Sequence, residues 1–256
     1  MVAAGLSGPR RVQMGALRDF VLGVQIIDGQ GELLRFGGSV IKNVAGYDVS
    51  RLMAGSLGTL GLITEVTLKV LPCPVAELSL RFELPQHIAL TRLNEWAGRP
   101  LPISASAWHA ETLTVRLSGA VAAIAAAREK LGGDPIPDVE ACEFWQSIRE
   151  QTHAFFGAAP LWRIALPSAA PPLNLPGEHL LEWHGGLRWL TGTADATQVR
   201  TVAAAAGGHA TLFRRTAGAT NVFQPLPAGL MNLHRRVKQT FDPHGIFNPG
   251  RMYAGL

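Results

Sequence analysis

The residues with the clearest chemical potential are glycines. Gly55, Gly58 and Gly61 recur at every third position within Gly55-Ser56-Leu57-Gly58-Thr59-Leu60-Gly61-Leu62-Ile63. Glycine carries no Cβ, so the backbone here can approach a ligand closely. Free N–H groups at such a turn can meet a phosphate or the edge of a flat ring. Two phosphate loops are excluded. No strand precedes these glycines and no helix follows them, as a dinucleotide fingerprint requires, and no Gly-Lys-Ser/Thr run makes a P-loop. On spacing alone a tight turn ahead of a strand is the favoured reading. Upstream, Lys42, Asn43, Tyr47 and Asp48 gather polar side chains. They would line a ligand or partner surface, or supply a helix N-cap and a solvated edge.

The histidines point to no metal site. The chain has 8 of them, at 87, 109, 153, 179, 184, 209, 234 and 244, and none forms an H-x-H or H-x-x-x-H pair. His109 and His184 each follow a tryptophan, and a structural role is the expectation for both. No substrate-deprotonating base is assigned, so the catalytic residues stay unknown. Cys73 and Cys142 have no ligand spacing, which excludes a zinc or iron–sulfur motif and a disulfide framework and suits a reducing compartment. The formal charge of +4 is spread over separated pairs such as Arg10-Arg11, Arg214-Arg215 and Arg235-Arg236. They are expected as solubilising surface pairs, not as a nucleic-acid stripe. No apolar run reaches the ~18 residues of a membrane span, and no signal peptide is evident.

The elements that must position these residues follow from periodicity. Residues 18–36 predict a β-hairpin: Phe20, Leu22, Val24 and Ile26 alternate on one face, and Asp28-Gly29-Gln30-Gly31 supplies the turn. Asp48 predicts the N-cap of a short helix through Met53, ended by Gly55, with Arg51 one turn away for an ion pair. After Gly61 the period becomes two, placing Leu62, Thr64, Val66, Leu68 and Val70 on one face of a strand. Pro72 and Pro74 mark a domain boundary. Beyond them, strands are expected at 78–84, 103–108, 113–117 and 162–166, with helices at 87–96, 120–131 and 139–155. A proline-rich loop follows from 167. Trp108-His109 with its strands, alanine-rich helix and Gly132-Gly133 has a counterpart in Trp183-His184, a second alanine-rich helix and Gly207-Gly208. This suggests two copies of a hairpin–helix unit in one antiparallel sheet. A helix over 226–240 leads to Asn248-Pro249-Gly250-Arg251, which fits a type II turn.

Longer motifs carry a family resemblance. Gly58-Thr59-Leu60-Gly61-Leu62-Ile63-Thr64-Glu65 resembles the G-T-L-G-[IV]-[IV]-T-E motif of FAD-linked oxidases of the vanillyl-alcohol oxidase superfamily. Lys42-Asn43-Val44-Ala45-Gly46-Tyr47-Asp48 is similar to one branch of it, the glycolate oxidase subunits. The segments Met1 to Arg11, Arg18 to Gly23 and Phe247 to Met252 resemble the smaller FAD-binding subunit of that branch. The resemblance is dense over 1–74 and 241–256 and thin between.

It implies an α+β fold: the C-terminal part of a PCMH-type FAD-binding domain (1–74), an antiparallel-sheet cap domain with helices on one face (75–225), and a helix and tail returning to the FAD domain (226–256). Carried over residue by residue, Ala4, Gly5, Leu6 and Ser7, with Gly8, match a loop along the flavin and pyrophosphate. Leu57, Gly58, Thr59, Leu60, Gly61, Leu62 and Ile63 match the loop that holds the pyrophosphate–adenosine side through backbone atoms. Asn248 and Arg251 match a tail turn that folds toward the flavin. The implied activity is oxidation of glycolate to glyoxylate with FAD as hydride acceptor. The implied partners are a larger FAD-containing subunit and an iron–sulfur subunit, and the implied ligand is a small 2-hydroxy acid. The implied location is cytoplasmic, peripheral at the inner membrane through the complex. Relatives hold the pyrophosphate also in a glycine-rich loop upstream of the region matching Met1. The expectation is therefore a chain that starts late or is a fragment, exposes apolar surface there and is colourless when purified alone. A non-catalytic assembly subunit and an FAD oxidase of another hydroxy acid remain open.

Overall fold

The computed structural model describes residues 1–38, 48–216 and 221–256. In chain order the first elements are α1 (Arg11–Met14), β1 (Val21–Ile27), β2 (Leu33–Gly37), α2 (Val49–Met53) and β3 (Leu62–Leu68). Then come β4 (Ala76–Glu83), α3 (Gln86–Ala97), β5 (Ile103–His109), β6 (Thr112–Gly119), α4 (Val121–Leu131), β7 (Asp134–Ile136) and α5 (Asp138–Glu150). The last are β8 (Leu161–Ala165), β9 (Glu178–Glu182), β10 (Leu187–Thr191), α6 (Ala196–Ala205), β11 (His209–Arg214) and α7 (Ala228–Phe241). Two compact units result. One comprises Met1–Ser7, Gly15–Pro72 and Pro225–Leu256; the other comprises Gly8–Met14 and Cys73–Gln224.

The first unit is built on an antiparallel sheet of order β2-β1-β3. The β1–β2 turn closes because Asp28 accepts hydrogen bonds from the N–H groups of Gln30 and Glu32 at 2.9 Å, the local side-chain bonding that makes aspartate a turn former. Val21, Val24, Ile26, Met53 and Leu60 form the core, with Ile63, Val66, Val237 and Phe241 packed against it. The strict alternation expected of β1 and β3 does not hold. Register shifts lie between Val21 and Gly23 and between Gln25 and Ile26. A β-bulge adds a residue and turns the following side chains over. Val21 and Val24, three apart, therefore share the core, as do Ile63 and Val66, while Leu62 is 55% exposed. Asp48 caps α2 through Arg51 N–H and pairs with the Arg51 guanidinium at 3.0 Å.

The second unit is an eight-stranded antiparallel sheet of order β11-β8-β10-β9-β5-β6-β4-β7. The order contains the anticipated repeat. β7-β4-β6-β5 and β11-β8-β10-β9 are the same pattern, joined where β5 pairs with β9 through Ala107↔Glu182, Trp108↔Leu181 and His109↔Leu180. Helices α3, α4 and α6 share one apolar face over Leu80, Leu113, Val115, Ile164 and Leu190. In the second copy a proline-rich loop replaces α3. Arg188, fully buried, ties it down by donating to the carbonyls of Gly185, Pro171 and Ala170. α5 lies on the other face, where small Ala105 and Ala107 leave room for Trp145. It ends at Gln151, which takes φ 58°, sooner than expected; Phe155 follows in a separate 3₁₀ turn and still packs with Ile148. The repeat does not equate the two tryptophans. Trp108 lies in the α3–α4 core and donates to Leu84 carbonyl, whereas Trp183 packs on the opposite face.

Candidate functional site

Three segments far apart in sequence converge in the first unit. A 3₁₀ turn at Val2–Ala4 ends at Gly5, whose φ of 63° suits glycine. Val2 carbonyl accepts the Gly55 N–H at 3.1 Å, and Ala3 carbonyl accepts the Leu57 N–H at 2.7 Å. A Cβ on Gly5 would lie 2.7 Å from Gly55 Cα, so the two turns meet backbone to backbone. From the tail, Asn248 donates through Nδ2 to Leu57 carbonyl at 2.8 Å, and a Cβ on Gly58 would meet that same nitrogen at 2.9 Å. The tail turn is type II as expected: Gly250 has φ 71°, and Arg251 N–H bonds to Asn248 carbonyl at 3.1 Å.

Lys238 on α7 locks this junction. Its buried Nζ donates to Thr59 carbonyl at 2.7 Å, to Phe247 carbonyl at 2.7 Å and to Asp242 at 2.5 Å. Asp242 also accepts the N–H groups of Ile246 and Phe247. Burial alone would raise its carboxyl. The Lys238 hydrogen bond, the two backbone donors and the Lys238 charge outweigh that and hold it below the usual carboxylate range. The sequence reading missed Lys238; its signal was the i, i+4 spacing to Asp242 ahead of the tail turn.

The anticipated site residues divide into two kinds. Leu60 and Ile63 send their side chains to the core, and the Thr59 hydroxyl is used within the turn on Ser56 carbonyl at 2.7 Å. Only their backbone atoms can serve a ligand. Leu57 and Gly58 take φ 54° and 68°, and Gly58 N–H has no hydrogen-bond partner among the described residues. Leu6 and Leu62 are exposed apolar side chains, and Ala4, Asn248 and Arg251 are exposed. Ser7 accepts Leu17 N–H at 3.1 Å. Gly61, buried with φ 153°, passes within a Cβ's reach of Ile27 carbonyl. Gly8 belongs to the second unit. Lys42, Asn43 and Tyr47 lie outside the described residues.

In the second unit the α5 face of the sheet carries a polar patch beside its apolar cluster. Arg81 and Glu83 on β4, Thr112 and Thr114 on β6 and His109 on β5 line a cavity of about 450 Å³, walled by Phe144, Ile148 and His153. His153 Nδ1 accepts Phe155 N–H, and burial, with nearby His109, pushes its pKa down. The neutral ring then carries its proton on Nε2. Further along this face Glu182 is buried and accepts Trp189 Nε1–H at 2.7 Å. Burial raises its carboxyl to about 7, against the Trp189 bond and the charge of Arg163. Among the described residues no three His, Cys, Asp or Glu side chains are placed to hold a metal ion.

Known proteins supply the family. Residues 225–252, which include Lys238 and the tail turn, match the family described as FAD linked oxidases, C-terminal domain. Glycolate oxidase subunit GlcE of Escherichia coli K12 is 52% identical over 257 residues, covering 100% of this chain and 71% of that protein. The chain belongs to the GlcE family of FAD-linked oxidases. Glycolate oxidase subunit GlcD of Bacillus subtilis 168 is 42% identical over 73 residues, covering 28% of this chain and 16% of that protein. Among solved structures, alkyldihydroxyacetonephosphate synthase superposes with a TM-score of 0.59 at 14% identity, covering 97% of this chain and 56% of that one. That likeness shows the fold. The family's cofactor is FAD, and the junction passes a test of fit. Left-handed glycine turns with no Cβ, a Gly58 N–H without a partner among the described residues and exposed leucines at 6 and 62 suit a phosphate beside a flat apolar ring.

Proposed function

We propose that this chain is the FAD-binding subunit of a complex that oxidises glycolate to glyoxylate. The observation that carries the reading is the convergence of Gly5, Leu57–Gly58 and Asn248, held by Lys238, into one backbone-lined turn cluster. Bound FAD supplies the two-electron acceptor for turning an alcohol carbon into a carbonyl. The protein's part is positioning. Gly58 N–H would be free to donate to the pyrophosphate, Leu57 and Asn248 would set the turn's shape, and the exposed Leu6 and Leu62 would offer apolar surface to a ring. Arg251 stands at the outer edge of the tail turn. On the cap sheet, the His153 Nε2–H, the threonine hydroxyls and Arg81, which also pairs with Glu140, form a donor set beside Glu83 that would take a small polar ligand.

The partners are proposed as a larger FAD-containing subunit and an iron–sulfur subunit. The relatives' names support an assembly of unlike subunits, since E. coli GlcE and B. subtilis GlcD are both called glycolate oxidase subunits. Electrons leaving a flavin need an acceptor, which an iron–sulfur subunit provides. No helix among the described residues is long and apolar enough to cross a membrane; the proposed location is cytoplasmic, peripheral at the inner membrane through the complex.

Titrating the chain with FAD and following flavin fluorescence tests this reading. The chain is expected to bind FAD saturably when FAD is in excess. Asn248→Ala removes the bond that shapes Leu57 and is expected to weaken binding about tenfold, the value of one lost hydrogen bond, with unchanged far-UV circular dichroism. Equal FAD affinity in wild type and Asn248→Ala, or no saturable binding at all, would count against it.

A further inference from the structure

Four arginines held away from water in the second unit each reach an acceptor. Arg188 donates to three carbonyls. Arg116 donates from Nε to Ser104 at 3.0 Å and lies 3.9 Å from Glu77. Arg200 and Arg214 donate to the carbonyls of Asn221 and Phe156. Arg163 on β8 differs. It is largely buried, yet it makes no hydrogen bond and no ion pair with any described residue. Its guanidinium lies 5.2 Å from the centre of the Trp183 ring, which also carries the Arg11 guanidinium at 4.2 Å. Burial and the Arg11 charge push its pKa down, but a guanidinium keeps its charge at neutral pH. Glu182 does not neutralise it: that carboxyl accepts the Trp189 N–H and keeps its own proton to about 7. The Trp183 ring attracts the charge but offers no oxygen to its five N–H groups. A cation taken out of water without an acceptor opposes folding unless something else pairs it.

We infer that Arg163 anchors a binding site for a small organic monocarboxylate. The guanidinium fork matches the two oxygens of a carboxylate. Trp189 and Thr211, its register neighbours on β10 and β11, stand on either side. One cation beside aromatic rings suits one negative charge; phosphate, carrying more charge, loses more on leaving water. Arg163 is not among the residues that line the 450 Å³ cavity. All these groups belong to the second unit, so the site requires neither FAD nor the turn cluster. Glycolate, the substrate proposed above, is one member of this ligand class.

The test titrates the full chain, without FAD, with sodium acetate and with sodium glycolate against sodium chloride at matched ionic strength. Tryptophan fluorescence is followed, since Trp183 and Trp189 flank the site. Saturable quenching with a dissociation constant on the order of millimolar is expected. Arg163→Gln should weaken binding at least about tenfold. Arg163→Lys, which keeps the charge and loses the fork, should weaken it less. Because the wild-type cation has no acceptor, Arg163→Gln is expected to keep or raise the thermal midpoint. A lower midpoint with unchanged carboxylate binding would make Arg163 a packing residue on Trp183 and overturn the proposal. So would the absence of a saturable response to either carboxylate. Should Arg163→Gln fail to fold, equal affinity in Arg163→Lys and the wild type overturns it. Inorganic phosphate binding more tightly than acetate would overturn the ligand class.

Discussion

The two units build their candidate sites from different materials. In the first, the turn cluster is made of backbone: carbonyls of Val2 and Ala3, N–H groups of Gly55, Leu57 and Gly58, and left-handed glycines. In the second, the polar sheet face is made of side chains that Arg81, Thr114, His109, Glu182 and Arg163 bring from separate strands. Backbone sites constrain residue type at consecutive positions, so they leave a motif. A side-chain face built across strands leaves one residue here and another fifty positions away. The first kind is legible in a single sequence, and the second is not.

The largest effect expected is at the joint of the backbone site. Lys238→Met leaves Asp242 with a fully buried side chain and no cation. Removing one partner of a buried pair costs about 3–5 kcal/mol, measured as unfolding free energy in urea. A loss below about 1 kcal/mol would mean that the backbone donors of Ile246 and Phe247 suffice, and that the lysine is not the lock.

The side-chain face is probed by pH. Glu182 holds its proton to about 7 in the folded chain, against 4.5 for an ordinary glutamate. The native state is then the better proton binder between these values. Stability contributed at this site is highest below about pH 4.5, falls as pH rises toward 7 and stays low above it. The change is about 3 kcal/mol. Glu182→Gln should flatten that slope, so that the variant gains on the wild type at pH 8 and matches it at pH 4. Parallel stability curves for the two proteins would show that Trp189 and Arg163 already stabilise the carboxylate. The smallest effect is Asp48→Ala, which removes the N-cap of α2 and should cost about 1 kcal/mol without altering FAD affinity. A change in affinity would extend the site to the start of that helix.

Particular residues show how far the sequence reached. Asp28, Asp48 and Gly250 have side-chain or φ requirements that act within a few positions, and their turns and cap are as expected. The two-copy sheet was visible because each copy repeats the order of strand, turn and alanine-rich helix. The faces of β1 and β3 were not, since a bulge is a relation between two strands and inverts the alternation partway along. Helix α5 looked longer than it is because Phe155 keeps the apolar spacing after the backbone has turned at Gln151. Lys238 shows its pairing with Asp242 only as an i, i+4 spacing, and its bond to the Thr59 carbonyl, more than a hundred residues away, leaves no local signal.

The central claim is that the turn cluster holds FAD. Its most direct test is a fluorescence titration of FAD into wild-type chain and Gly58→Ala, whose added Cβ would sit 2.9 Å from Asn248 Nδ2 at a φ of 68°. Saturable wild-type binding, weakened at least about tenfold in Gly58→Ala with the fold retained, is the predicted result. Identical titration curves for the two chains would contradict it.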